Sequence, residues 1–199
     1  GLVGSSEHLF LAGVDVGSAE SCAAAAERTL VKFGRIDVLI NTVGAFRGGK
    51  PVHEADPADW QAMFDANVGT TLNACRAVIP AMIRQQFGKI VNVASLAALQ
   101  GGAGVAAYCA SKAAVVRLTE SLSAELRPQG INVNCVLPGT LDTPQNPRRC
   151  PARTCRIGLS WRTSRRRCCF WPPMPRGRST ARRCRSSGRL GERLLAGGT

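Results

Sequence analysis

Three residues carry chemistry most directly. Tyr108 and Lys112 stand four positions apart in a stretch whose apolar spacing predicts a helix, so both fall on one face. Ser95 precedes Tyr108 by 13 residues, at the end of a short apolar run that reads as a strand. A free phenol ionises near a pH of about 10. It is a poor base at neutral pH unless a nearby cation stabilises its phenolate, and the Lys112 ammonium supplies one. A phenol poised in this way gives a proton to a carbonyl oxygen or removes one from an alcohol. The Ser95 hydroxyl is suited to hold that same oxygen. By itself a Tyr–Lys pair at this spacing is an ordinary packing pair on a helix. Its weight comes from what surrounds it.

The elements that must position these groups alternate along the chain. Residues 8–16 predict a buried strand, and residues 19–33 a helix with Ser18 as N-cap and Gly34 beyond its end. Residues 36–41 predict a short apolar strand, followed by a glycine-bearing loop over 42–50. Residues 58–86 carry one long helical pattern, with Met63, Phe64, Val68, Leu72 and Val78 facing inward. Residues 89–94 predict a strand, Gly101, Gly102 and Gly104 a loop, and 105–126 a helix whose connection ends at Gly130. Residues 131–137 predict a strand running into Pro138-Gly139.

Four strands without alternation, joined by helices, imply a parallel sheet covered on both faces, with right-handed crossovers. Sites in such sheets form at the carboxyl ends of strands. Asn41, Ser95 and Pro138-Gly139-Thr140 each stand at such an end. Four strands are fewer than a complete doubly wound sheet, and no G-x-G-x-x-G or G-x-x-x-G-x-G turn is present to cradle a pyrophosphate.

The segment Tyr108-Cys109-Ala110-Ser111-Lys112 fits a Y-x-x-x-K motif. With it come Ser95, the loop Asn41-Thr42-Val43-Gly44, Asn67 within D-A-N-V, Asp15-Val16, and Pro138-Gly139. Over about residues 8–146 this set resembles the short-chain dehydrogenase/reductase family. There the loop is typically N-N-A-G after the fourth strand, Asp-Val ends the third strand and Pro-Gly follows the sixth.

The resemblance implies an α/β, Rossmann-like, doubly wound parallel sheet that is incomplete, with the first two strands and the last strand missing. It implies hydride transfer between NAD or NADP and a small carbonyl or alcohol substrate, in a cytoplasmic homodimer or homotetramer paired through helices 58–86 and 105–127. By the same resemblance Tyr108 is the general acid/base, while Lys112 lowers its pKa and holds the nicotinamide ribose. Ser95 orients the substrate carbonyl, and Asn67 holds a water in a proton relay. Asp15 and Val16 meet the adenine, and Asn41 and Gly44 shape the loop beside the adenosine ribose. Pro138, Gly139 and Thr140 approach the nicotinamide and its phosphate, and Thr143 the diphosphate. Plainer readings stay open: Asn67 as a cap or kink of its helix, Asp15 as a strand end, Thr143 as the cap of a following helix. Leu96, Gln100 and Leu141 are possible neighbours of the substrate pocket. Thr42 and Val43 depart from the family's loop.

Charge divides the chain in two. The overall formal charge of +13 suggests a nucleic-acid binder. Yet residues 1–146 hold 11 Lys+Arg against 12 Asp+Glu, a net of −1, while residues 147–199 hold 15 Arg against Glu192, a net of +14. The expected organisation is therefore a partial catalytic domain over 1–146 and an Arg/Cys-rich, disordered tail over 147–199. That tail has the composition of GC-rich coding DNA read out of frame, and a one-base shift of residues 161–188 permits a helix and strand resembling the family's C-terminus. A frameshift near residues 145–150 is expected, as is a missing start, since the chain begins at Gly1 without Met.

A basic tail with Arg165-Arg166-Arg167 to meet phosphates and Trp161, Phe170 and Trp171 to stack on bases is the rival reading. A specific nucleic-acid partner is not expected. A third reading is a fragment that holds no cofactor and folds poorly. Cys22, Cys75, Cys109 and Cys135 read as buried free thiols. With no C-x-x-C pair and only His8 and His53, no metal site is expected. No apolar run reaches the length of a membrane span.

Overall fold

The computed structural model of the chain describes residues 7–139. The expectations placed on Thr140, Leu141, Thr143 and the Arg/Cys-rich tail lie outside the described residues. Three parallel strands, β1 (Val38–Asn41), β2 (Gly88–Val93) and β3 (Ile131–Val136), pair in the order β1-β2-β3. Val38 stands opposite Lys89 and Asn41 opposite Asn92, while Gly88 meets Ile131 and Val93 meets Val136.

Helix α1 (Ala19–Phe33) starts and stops where its sequence dictates. The Ser18 hydroxyl accepts from the Ser21 amide at 3.2 Å. Gly34 takes φ 74°, a left-handed turn that its missing Cβ permits, and its amide closes on Leu30 O at 2.7 Å.

The expected strand over 8–16 does not form, so the described residues hold three strands, not four. A parallel strand exists only where a neighbour completes its hydrogen-bond ladder, and among the described residues β1 is bonded to β2 alone. The segment instead ends in a capping turn, with the Asp15 carboxylate accepting from Gly17 N at 2.8 Å and Asp15 O from Ser18 N at 3.1 Å. Asn73 Nδ2 holds it by donating to Gly17 O at 2.9 Å.

The single helix expected over 58–86 is three pieces. α2 (Pro57–Phe64) is capped by Asp56, whose carboxylate accepts from Ala58 N at 2.8 Å. A π turn (Asp65–Gly69) follows, and then α3 (Thr70–Gln85). The wider turn shifts the helical phase, so Met63 and Val78 are buried while Leu72, expected inside, is exposed. α4 (Ala106–Leu126) matches its expected span within a residue, and Gly130 follows it at φ 74°.

The core explains how these elements hold the strand ends. Ile90, Ile131 and Val133 pack with Ala26 of α1, Cys75, Val78 and Met82 of α3, and Leu122 and Leu126 of α4. A second cluster, Ala94, Val115, Val116, Cys135 and Leu137, lies toward the carboxyl ends of the strands. All three long helices thus cover one face. On the other, Val38, Ile40, Lys89 and Asn132 are exposed. The expectation of helices on both faces is not met among the described residues, because the connections that they contain all lie on one side. The four expected thiols are buried and free. Among the described residues no helix is long and apolar enough to cross a membrane.

Candidate active site

Parallel pairing continues past the strand ends and fixes the candidate site there. Ala94 N donates to Val136 O and Leu96 N to Pro138 O, each at 2.9 Å, so Ser95 and the half-buried Pro138-Gly139 lie side by side. The Ser95 hydroxyl accepts from Ala97 N at 3.2 Å, capping the short turn Leu96–Ala98, and keeps its own proton to donate.

Tyr108 lies in the first turn of α4, half-buried, and its hydroxyl has no hydrogen-bond partner among the described residues. Its ring meets Phe46 edge-on, with centroids 4.9 Å apart and planes at 77°. Lys112, one turn further, is buried and donates from Nζ to Val93 O at 3.2 Å, hooking α4 onto the end of β2. Burial pushes the Lys112 ammonium below its ordinary pKa. The described ion pairs, Arg35–Asp37, Arg47–Asp59, His53–Glu54 and Arg117–Glu120, do not involve it.

Asn67 ties three elements together from within the π turn. Its Oδ1 accepts from Ala45 N at 3.0 Å, and its Nδ2 donates to Ala45 O at 3.1 Å and to Ser111 Oγ at 3.0 Å. Ser111 Oγ in turn donates to Tyr108 O at 2.9 Å. Gly44 lies where loop, π turn and lysine converge. A Cβ there would stand 2.7 Å from Asn67 Oδ1 and 2.9 Å from Lys112 Nζ, so only a glycine passes between them. The structure therefore brings Gly44, Asn67, Tyr108 and Lys112 together, with Ser95 and Pro138-Gly139 at the adjoining strand ends.

Asn41, Asp15 and Val16 stand apart from this group. The Asn41 side chain turns inward, donating to Asn92 Oδ1 at 2.9 Å and to Cys75 Sγ at 3.5 Å. Asn92 Nδ2 continues to Thr119 Oγ1 at 2.9 Å, which donates to Val115 O at 2.7 Å. This buried polar line runs along the covered face of the sheet, from α3 by way of the strands to α4. Burial pushes the Cys75 thiol up to about 11, with the Asn41 amide pulling the other way. Val16, Asn41, Thr42 and Val43 help line a cavity of about 320 Å³ between α1, β1 and α3. The Asp15 carboxylate is engaged by its own turn and ends no strand.

Two site neighbours escaped the sequence reading. Ser111 is fully buried, and its only signal is a small polar residue three positions after Tyr108, on the side facing Asn67. Phe46 gives no signal in sequence, because its contact with Tyr108 spans 62 positions.

The family model described as short chain dehydrogenase matches residues 2–153. Among curated proteins, an uncharacterized oxidoreductase of Staphylococcus saprophyticus is 39% identical over 131 residues, covering 66% of this chain and 56% of that protein. The 3-oxoacyl-[acyl-carrier-protein] reductase of Thermotoga maritima is 40% identical over 118 residues, covering 59% and 48%. Among solved structures, a xylitol dehydrogenase with NAD+ bound superposes with a TM-score of 0.62 at 35% identity, covering 64% of this chain and 49% of that one. A gluconate 5-dehydrogenase from Burkholderia cenocepacia in complex with NADP and tartrate gives 0.63 at 32%, covering 67% and 52%. The chain spans about half the length of the curated relatives it matches.

Proposed function

The chain belongs to the short-chain dehydrogenase family, and on that footing we propose that it serves hydride transfer between NAD or NADP and a small carbonyl or alcohol. One observation carries the reading: a Tyr108 hydroxyl without a partner among the described residues stands one helical turn from a buried Lys112, with Ser95 at the adjoining strand end. The donor set fits the nicotinamide end of such a cofactor. Lys112 spends one N–H on Val93 O and keeps two of its three donors for ribose hydroxyls. The nicotinamide, when bound, supplies or accepts the hydride.

The residues of this chain do the rest. In reduction, Tyr108 gives its proton to the carbonyl oxygen, and in oxidation it takes the alcohol's proton. Ser95 donates to the same oxygen and holds the reacting carbon in place. The Lys112 charge steadies the phenolate that remains. Asn67 fixes the loop at Ala45 and, through Ser111, the backbone of Tyr108. Homodimer or homotetramer formation through α2–α3 and α4, and a division into a domain over 1–146 and a tail over 147–199, belong to the same proposal.

The test uses the purified full chain. NADH or NADPH should bind saturably, read by cofactor fluorescence, and a carbonyl panel should be reduced, read at the nicotinamide absorbance. Tyr108→Phe should keep cofactor binding and lose roughly a hundredfold or more of turnover. Equal turnover in the variant sinks the assignment.

A second reading, a chain that does not hold the cofactor, is supported by the exposed face of the described sheet. Failure of both cofactors to saturate would select it.

A further inference from the structure

Phe46 spends its ring on no core. It is 61% exposed, yet it stands edge-on against Tyr108 at 4.9 Å. An exposed apolar side chain is ordinary by itself, and what marks Phe46 is its place against the Tyr108 ring.

The backbone on either side of Phe46 is pinned. Ala45 is clamped through both N and O by the Asn67 amide. Arg47 pairs with Asp59, and Gly49 N donates to Gly104 O at 2.8 Å, just ahead of α4. At Gly48 a Cβ would stand 2.7 Å from Val105 Cγ1, 2.9 Å from Gly104 O and 3.6 Å from Phe46 Cζ, so the loop lies close on the start of that helix. Phe46 is therefore a ring held in place at the helix turn that carries Tyr108. Beyond Ser95, the turn Leu96–Ala98 packs on α4, and Leu96 and Leu99 are also exposed.

Resting on the proposed reductase reading, we infer that Phe46 is the specificity-determining wall of the substrate site and that it selects carbonyl compounds bearing an aryl group. A planar aryl ring next to the carbonyl carbon packs on the Phe46 face while its oxygen meets Tyr108 and Ser95. A small aliphatic ketone fills none of that surface. The preference follows from aromatic contact geometry and buried area, both of which an aliphatic side chain at this position lacks.

Tyr108 is the sole tyrosine of the chain, which provides a reporter that needs no turnover. The full chain labelled with 3-fluorotyrosine gives one tyrosine fluorine resonance. Acetophenone should shift it saturably, and acetone at equal concentration should not. Phe46→Ala and Phe46→Leu should weaken acetophenone binding by about tenfold, and Phe46→Trp should retain it within threefold. At 61% exposure the ring contributes little to folding, and the far-ultraviolet dichroism of each variant checks that. The inference is overturned if acetophenone leaves the resonance unmoved, or if the alanine and leucine variants bind it within twofold of the parent chain. Turnover is read separately with both ketones. Binding that depends on Phe46 without hydride transfer supports the aryl site and sinks only the reductase reading. Hydride transfer with equal Phe46→Ala effects on both ketones overturns the specificity role alone.

Discussion

Lys112 puts a buried charge at the candidate site, and that burial works against the fold. Its side chain is 6% exposed, and burial holds its pKa below the ordinary lysine value. The sign follows from linkage. Below the folded-state pKa both folded and unfolded chains carry the charge, and the folded state bears the full desolvation penalty. As pH climbs from that pKa toward the unfolded value, the folded chain gives up its proton first, so this group's contribution to stability rises through the window. The Val93 carbonyl that Lys112 bonds belongs to a half-buried residue, which water can reach if the lysine is removed. Lys112→Met keeps the length and apolar stem of the side chain and drops the charge. The expected outcome is a melting temperature at pH 7 equal to or a few degrees above the parent's, with any advantage shrinking as pH approaches 10, and loss of carbonyl reduction. Thermal melts at pH 7 and 9.5 beside a turnover assay check this. A large fall in melting temperature would mean that the hook onto β2 outweighs the buried charge.

Among the elements, the π turn between α2 and α3 does most to bring the site together, and it was the element least legible in the sequence. Helix α1 could be read from Ser18 and Gly34 because capping is local chemistry. The strands at 38–41, 88–93 and 131–136 could be read from their apolar runs because neighbouring strands complete them. The similar run at 8–16 misled, since no partner completes it. The pattern over 58–86 is helical on both sides of residue 67, and the extra width of one turn leaves no trace in it. What accompanies that turn is distant in sequence: the Asn67 side chain is engaged by Ala45 and Ser111. The same holds within the site. Tyr108, Lys112 and Ser95 were legible because their spacing is local or lies at a strand end. Ser111 and Phe46 were not, because their partners come from elsewhere in the chain. Asn41 stands at the end of β1 as expected, and its amide also completes a buried line with Asn92 and Thr119 that its position in the sequence does not announce. Asn67→Ala should therefore act beyond its own position. It strips both backbone groups of the exposed Ala45 of their partner, which water can replace, and leaves the buried Ser111 without its donor, a cost of about 1–2 kcal/mol. Denaturant titration should register that loss, and limited proteolysis should show faster cutting within residues 42–50. Unchanged protection of that loop would sink the view that Asn67 is its clamp.

At the scale of the whole molecule, the described residues form a two-layer body, with three long helices on one face of a three-stranded sheet. Among the described residues β1 bonds only β2, so its outer backbone groups face away from the described sheet. On the uncovered face Val38 is 52% and Ile40 60% exposed, and these two residues are adjacent in the strand's side-chain period. An exposed strand edge with apolar side chains is a template for association with other chains. Ile40→Lys places a charge on that face without touching the core. Its expected effect on stability is within about 0.5 kcal/mol, as for other exposed positions. Its expected effect on association is large, since a lysine on an edge strand opposes pairing. Sedimentation velocity over a range of concentrations should show the parent chain shifting toward larger species and Ile40→Lys remaining smaller. Leu39→Lys is the control, because Leu39 packs against the covered core and its replacement should unfold the chain. Association that persists unchanged in Ile40→Lys would place the contact surface on the helices, as the proposed homodimer through α2–α3 and α4 requires. Association that falls would identify the sheet edge as the surface through which this chain meets its copies.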